Sequence, residues 1–215
     1  MPKVATGEIP HSPSPSRSAK GARTRVRLLE AARTVFEHDG FLTARISDIT
    51  AAAGLSQGSF YHYFDSKEQI FREVAVAQEA RLTAPPDVGA SDHKPASIRD
   101  AIGAANRRYL ERYRDAARLM GTIEQVSRYD EHVNAARFAT MQHFVQRAER
   151  SIRGLQKQGL ADASLDATFA ADALGAMVAR FAELMLVQHY RDYDFDIAVE
   201  QLTRLWANAL GIADE

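Results

Sequence analysis

Gly54-Leu-Ser-Gln-Gly-Ser-Phe-Tyr-His-Tyr-Phe64 decides how the rest of the chain is read. Gly54 suits the left-handed conformation that ends a helix. Leu55 is the apolar plug of the turn, and Ser56 is a good N-cap for a second helix. At 100° per residue, Phe60 and Phe64 share one face and point inward. Gly58, Ser59 and His62 lie opposite, flanked by Tyr61 and Tyr63, with Gln57 at the exposed N-terminal end. The outward surface is small, polar and aromatic. Gly58 costs the helix about 1 kcal/mol relative to alanine, and bare backbone there lets another surface come close. Gln57 can make paired hydrogen bonds to an adenine edge, and the hydroxyls of Ser56, Ser59, Tyr61 and Tyr63 can reach phosphates. A turn followed by a short free-standing helix is what a helix-turn-helix needs to enter a major groove. Taken alone, the stretch reads equally as a plain amphipathic core helix.

The flanks separate these readings. Ile46-Ser-Asp-Ile-Thr-Ala-Ala-Ala53 is a short helix with Ile46, Ile49 and Ala53 on one side. Downstream, Ser66-Lys-Glu-Gln69 is a capping box that starts another helix. Lys67 falls in its first turn, where the helix dipole disfavours a cation. A phosphate beside it would account for the charge; a solvated lysine is the plainer alternative.

Residues 23 to 75 resemble the DNA-binding domain of the tetracycline-repressor (TetR) family of bacterial regulators. The pattern is Arg27-Leu-Leu-Glu-Ala-Ala-Arg-Thr-Val-Phe36, Asp39-Gly-Phe41, Asp48-Ile49, Ala52-Ala-Gly54, Ser56 to Phe64, and Ser66-Lys67-Glu68. It is ungapped and covers about a quarter of the chain. The resemblance implies that Gln57, Gly58, Tyr61 and His62 face the groove, and that Ser56, Ser59, Tyr63 and Lys67 meet phosphates of double-stranded operator DNA. Two positions depart from it. Arg45 stands where the family usually has a Thr or Ser N-cap, and Thr50 where it often has Ala. Arg45 cannot cap, which leaves Thr43 or a shifted start for that task. Arg45 is then free for an extra phosphate or base contact, and Ser47 for a phosphate bond.

Composition agrees with a basic head on an acidic body. The 215 residues carry 27 Lys/Arg and 28 Asp/Glu, a formal net charge of -1. Residues 1–72 hold ten bases against seven acids, so the excess of acid lies in the remainder. Charge distributed this way fits a DNA reader whose other domain avoids the duplex. The absence of cysteine excludes disulfides, thiolate catalysis and zinc fingers, and fits a cytoplasmic location. No apolar run approaches the ~20 residues of a membrane span, so no membrane association is expected, and the amino terminus has no apolar core of a secretory signal. There is no His-Glu-x-x-His, no Gly-rich phosphate loop and no nucleophile elbow. We therefore expect no enzyme activity, no cofactor and no metal.

Residues 1–22, with His11-Ser-Pro-Ser-Pro-Ser-Arg-Ser18, read as a disordered basic arm, either a solvated tail or a minor-groove contact. Residues 23–70 form the helix-turn-helix domain, with the first helix over 24–38 closed by Gly40. Residues 71–215 form a helical effector-binding and dimerisation domain. A fourth helix spans 67–82, stopped by Pro85-Pro86, and a loop over 83–95 carries exposed Asp92 and His93. Further helices are expected over 97–119, 122–128 after an interruption at Gly121, 130–158, 167–190 and 195–210, with Asp166 and Asp194 as caps. No alternating strand pattern appears. The fold class is all-α: an N-terminal three-helix helix-turn-helix domain followed by a C-terminal helical ligand-binding and dimerisation domain.

The last two helices are apolar and small-sided on several faces, which a small lobe cannot bury alone. Ala171, Leu174, Val178 and Met185, with Leu202 and Trp206, are the expected contacts of a homodimer; a monomeric core is the alternative. The resemblance implies a two-fold dimer, whose symmetry matches palindromic DNA, and a small molecule bound in the body. Tyr109, Tyr113, Met120, Phe138, Met141, Phe144 and Phe181 are the candidate lining, suited to a mainly hydrophobic effector. Gln142, Arg112 and His143 are candidate polar contacts. The reading is a ligand-released repressor, with a regulator or activator lacking any ligand as the alternative.

Overall fold

The computed structural model describes residues 15–85 and 95–213. Among these residues all regular structure is helical: α1 (Pro15–Thr43), α2 (Ile46–Ala52), α3 (Gln57–Tyr61), α4 (Lys67–Thr83), α5 (Ile98–Asp115), α6 (Ala117–Ser127), α7 (Glu131–Lys157), α8 (Ala167–Leu186) and α9 (Phe195–Ala209). The all-α class, with three N-terminal helices and a helical bundle behind them, is as expected.

α1 begins earlier than the arm reading allowed, so residues 15–22 are helix. Pro15 sits at the first helical position, where a missing N–H costs nothing, and Ser16 to Thr24 contain no strong breaker. Residues 1–14 of the expected arm, and Asp92 and His93, lie outside the described residues. The α1 stem ends at Gly40, whose φ of 72° and ψ of 175° leave the helical region before one more short turn.

The expected helix over 97–119 breaks instead at Ala116, and Gly121 lies inside α6. That glycine answers a packing need: a Cβ on it would lie 2.8 Å from Val187 Cγ1. The helix expected over 167–190 stops at Leu186. The caps Ser66, Ser97, Asp166 and Asp194 each accept a backbone N–H of their helix's first turn, and Asp130 accepts two. Such caps satisfy donors that a helix leaves unpaired.

α1 packs on α2 and α4 to build the head, and also on α6 of the body. Phe36, Phe41 and Phe71 form an edge-on aromatic cluster, with 4.9 Å between Phe71 and each of the other two ring centroids. This cluster makes the first turns of α4 part of the head. Beyond it α4 packs on α5 and α7, α7 on α8, and α5 on α9. The buried apolar residues run as one continuous cluster from Leu28 to Ile212.

Candidate DNA interface and effector cavity

The turn between α2 and α3 is fixed by backbone hydrogen bonds. Leu55 N–H donates to Thr50 O at 2.9 Å and Gly54 N–H to Ala51 O at 3.0 Å, with Gly54 at φ 62°. These two bonds and the left-handed glycine are a Schellman motif. Arg27, from α1, donates to Ala53 O at the same corner, where its Nη2 lies 3.3 Å from the place of a Gly54 Cβ. Ser56 Oγ accepts from Ser59 N–H at 3.2 Å and starts α3. Phe60 and Phe64 are fully buried beneath it.

The outward face carries what the sequence placed there. Gln57, Gly58, Tyr61 and His62 are exposed, Tyr61 by 57%. Ser56 is exposed, while Ser59 and Tyr63 are half-buried; the Tyr63 hydroxyl lies against α1, 3.7 Å from where a Gly21 Cβ would be. Arg45 and Ser47 are exposed at the start of α2. Arg45 is itself the N-cap residue of α2, so neither Thr43 nor a shifted start is used. The cap is completed from the other side, by Asp48 Oδ2 accepting from Arg45 N–H at 3.2 Å. Thr50 is buried, its hydroxyl donating to Ser47 O at 3.0 Å.

Lys67 has partners within the chain. Its ammonium donates to Phe41 O at 2.7 Å and Ala44 O at 2.9 Å, and lies 4.6 Å from the centroid of the Phe41 ring. These carbonyls lie at and just past the C-terminal end of α1, which the first turn of α4 approaches. The cation that the dipole of α4 disfavours is held by the negative end of α1. Its donors are engaged without a phosphate.

Behind the head, α4 to α8 line a half-open cavity of about 410 Å³. Tyr109, Tyr113, Met120, Phe138, Met141 and Phe144 line it, six of the seven residues expected to. Phe181 does not; its ring packs on Tyr193, 5.4 Å between centroids. None of the three candidate polar contacts lines the cavity. Gln142 and His143 are exposed, and Arg112 clamps the end of α4 by bonds to Leu82, Ala84 and Pro85 carbonyls.

The polar wall comes from residues that sequence reasoning missed: Glu79, Glu124, Arg137, Arg180 and Glu183. Arg137 Nη1 pairs with Glu124 and donates to Ser127 Oγ at 3.0 Å, while its Nε lies 3.6 Å from Glu79 Oε1. Arg180 pairs with Glu183 at 2.6 Å. Burial pushes the Glu79 carboxyl above the usual carboxylate range, against the pull of Arg137 and a hydrogen bond from Thr140. Burial likewise raises the Tyr109 and Tyr113 phenols, which stay neutral. Glu79 carried one legible signal. It lies four residues after buried Ala75 and three before buried Leu82, a charge on the apolar face of α4.

Five of the six expected dimer contacts are taken up by the fold of the single chain. Ala171, Val178, Met185, Leu202 and Trp206 are buried within the single chain, and Leu174 is half-buried. Gly175 of α8 serves its packing on α7, where a Cβ would meet the Phe144 ring at 3.3 Å. What α8 and α9 leave outward is Phe169, 74% exposed, with Ile197 and Leu205.

Residues 28–74 match the family model described as bacterial regulatory proteins, tetR family. The head of this chain is thus similar to the DNA-binding domain of that family. It is 45% identical over 64 residues to the HTH-type transcriptional regulator YdgC of Bacillus subtilis (strain 168), covering 30% of this chain and 33% of that one. It is 42% identical over 62 residues to the HTH-type transcriptional repressor KstR2 of Rhodococcus jostii (strain RHA1), covering 29% and 30%. The match therefore spans about a third of these relatives. The fold likeness extends further. The fatty acid degradation regulator FadR from Bacillus halodurans superposes with a TM-score of 0.67 over 88% of this chain and 97% of that one, at 14% identity. TetR-family regulators generally bind operator DNA as dimers and are often ligand-responsive. Among the described residues no helix is long and apolar enough to cross a membrane, and no group of three or more His, Asp or Glu side chains is placed to hold a metal ion.

Proposed function

We propose that this chain is a TetR-family transcriptional repressor that binds palindromic operator DNA as a homodimer and is released by a small effector in the body. The observation that carries the reading is the span of α4. Its Phe71 belongs to the head core, while its Glu79, Leu82 and Thr83 form part of the cavity wall. An effector that binds better to one setting of α4 shifts the spacing of two heads through that difference in affinity. In this reading Gln57, Gly58, Tyr61 and His62 read base edges, and Arg45, Ser47, Ser56, Ser59 and Tyr63 meet the backbone. The dimer forms through the outward faces of α8 and α9. A cavity of about 410 Å³ lies within the usual size of small-molecule sites, which favours the ligand-responsive form over a regulator or activator without one.

Selection of bound duplexes from a random pool tests the reading with the full chain. The expected product is an inverted repeat with half-site centres one or more helical turns apart, and Gln57→Ala is expected to change the preferred base at one position of each half-site. Failure of the folded protein to enrich any sequence at low salt would sink the proposal. An unchanged profile in Gln57→Ala would remove that residue from base reading.

A further inference from the structure

The cavity has an unbalanced polar wall. Arg137 serves two carboxylates, Glu79 and Glu124, and spends a further N–H on Ser127. Arg180 is paired with Glu183. Three carboxylates thus face two guanidinium groups. Glu79 is the most enclosed of them, 4% exposed, and its Oε1 is buried without a hydrogen bond. Arg137 Nε at 3.6 Å offsets part of the cost of desolvating it, and a hydrogen-bond donor is still missing. Tyr109, Tyr113, Phe138, Met141 and Phe144 supply apolar and aromatic surface around the same space.

We propose that the effector is an organic cation, an ammonium or amidinium group on an aromatic or otherwise apolar body, whose N–H donors hydrogen-bond Glu79 Oε1, which Arg137 meets only at ion-pair distance. This rests on the reading of the cavity as an effector site. The cation completes the charge balance that one arginine shared by two carboxylates leaves open, and its body covers the aromatic wall, whose ring faces also attract positive charge. An anionic ligand is disfavoured by the same geometry. Each arginine is already engaged with a carboxylate, so a ligand carboxylate has to break a pair and enter an acidic surround. The raised position of the Glu79 carboxyl agrees with a site whose positive partner is still to come.

Three isosteric probes test the proposal by calorimetric titration of the full chain: 2-naphthylmethylamine, 2-naphthalenemethanol and 2-naphthoate. The amine is expected to bind roughly tenfold or more tighter than the alcohol, in line with a charge-assisted hydrogen bond, and the naphthoate weakest. In Glu79→Gln the amine and the alcohol are expected to bind alike. If that variant does not fold, Glu124→Gln serves: it frees Arg137 for Glu79, and the preference for the amine is expected to fall. Equal binding of amine and alcohol by the wild type, tightest binding of the naphthoate, no binding of any probe, or an amine preference untouched by the substitutions overturns the proposal. The repressor switch fails separately. An amine bound through Glu79 that leaves operator affinity unchanged removes the switch and keeps the cation site. A neutral or acidic compound that fills the cavity and releases DNA keeps the switch and removes the cation.

Discussion

Arg72 Nε lies 2.9 Å from Asp130 Oδ2, and seven residues further along the same two helices Arg137 reaches Glu79 with the charges reversed. The parallel helices α4 and α7 are thus joined by two ion-paired rungs, one beside the head and one in the cavity wall. Movement of α4 along α7 has to break both.

The lower rung is also a cap. Asp130 Oδ1 accepts from His132 N–H at 3.0 Å and Val133 N–H at 3.1 Å. Asp130→Ala is expected to cost about 2 kcal/mol, mostly the lost N-cap, while Arg72→Ala costs less because its side chain is part-exposed. The double variant is expected to show a coupling of roughly 0.5–1 kcal/mol in urea unfolding. Burial pushes the Asp130 carboxyl up, but hydrogen bonds from Val133 N–H and Arg72 outweigh it and hold the carboxyl below its ordinary value of 3.8. A depressed value means stability that is present above 3.8 and lost as pH falls through the lower folded value. The gap between wild type and Asp130→Asn should therefore close on acidification, and a gap that widens would contradict the assignment.

Lys67→Ala separates a structural lysine from a DNA contact. With three carbonyls of the α1 end losing their donor, thermal unfolding is expected to shift by about 1–3 kcal/mol of stability. The slope of log affinity against log salt is expected to stay unchanged, since no phosphate contact is lost. A slope reduced by about one with stability intact would return Lys67 to the DNA surface.

The contrast between Lys67 and Ser56 shows where sequence reading reaches. The hydrogen bonds of Gly54 and Ser56 run to residues within five positions, and the spacing of Phe60 and Phe64 puts both on one face, so spacing alone gave the turn, the cap and the buried face. The partners of Lys67 lie 23 to 26 residues away and depend on how α1 ends after Gly40. The family resemblance and residue type together pointed to the aromatic lining of the cavity, yet not to Glu79 with Arg137, 58 positions apart on different helices. For α8, small residues fit a tight contact with any neighbour. Only the packed chain tells α7 from a second subunit as the one Gly175 faces.

Gly121→Ala tests the reading of that glycine as a packing residue. Helix propensity alone predicts a gain of up to about 1 kcal/mol. The new methyl would lie 2.8 Å from Val187 Cγ1, a branched group close to its own backbone that cannot swing away easily. Overpacking is expected to outweigh the gain, leaving a net loss of about 1–2 kcal/mol in thermal unfolding. Val187→Ala in that background is expected to recover stability. Gly121→Ala alone raising the melting temperature would show the contact to be slack.

The proposed dimer face divides α9 into residues that hold the fold and residues that hold a partner. Trp206 is buried in the single chain, so Trp206→Ala is expected to cost about 3–5 kcal/mol of stability. Leu205 is its neighbour in sequence but 53% exposed, on the side of α9 that also carries Ile197. Leu205→Glu places a charge where an apolar contact between copies would form, and burying it unpaired is costly. Sedimentation is expected to give a folded monomer for Leu205→Glu at micromolar concentrations where the wild type is dimeric. Operator affinity should fall with it, because one head then reads only one half-site. A Leu205→Glu protein that stays dimeric would move the interface off this face of α9.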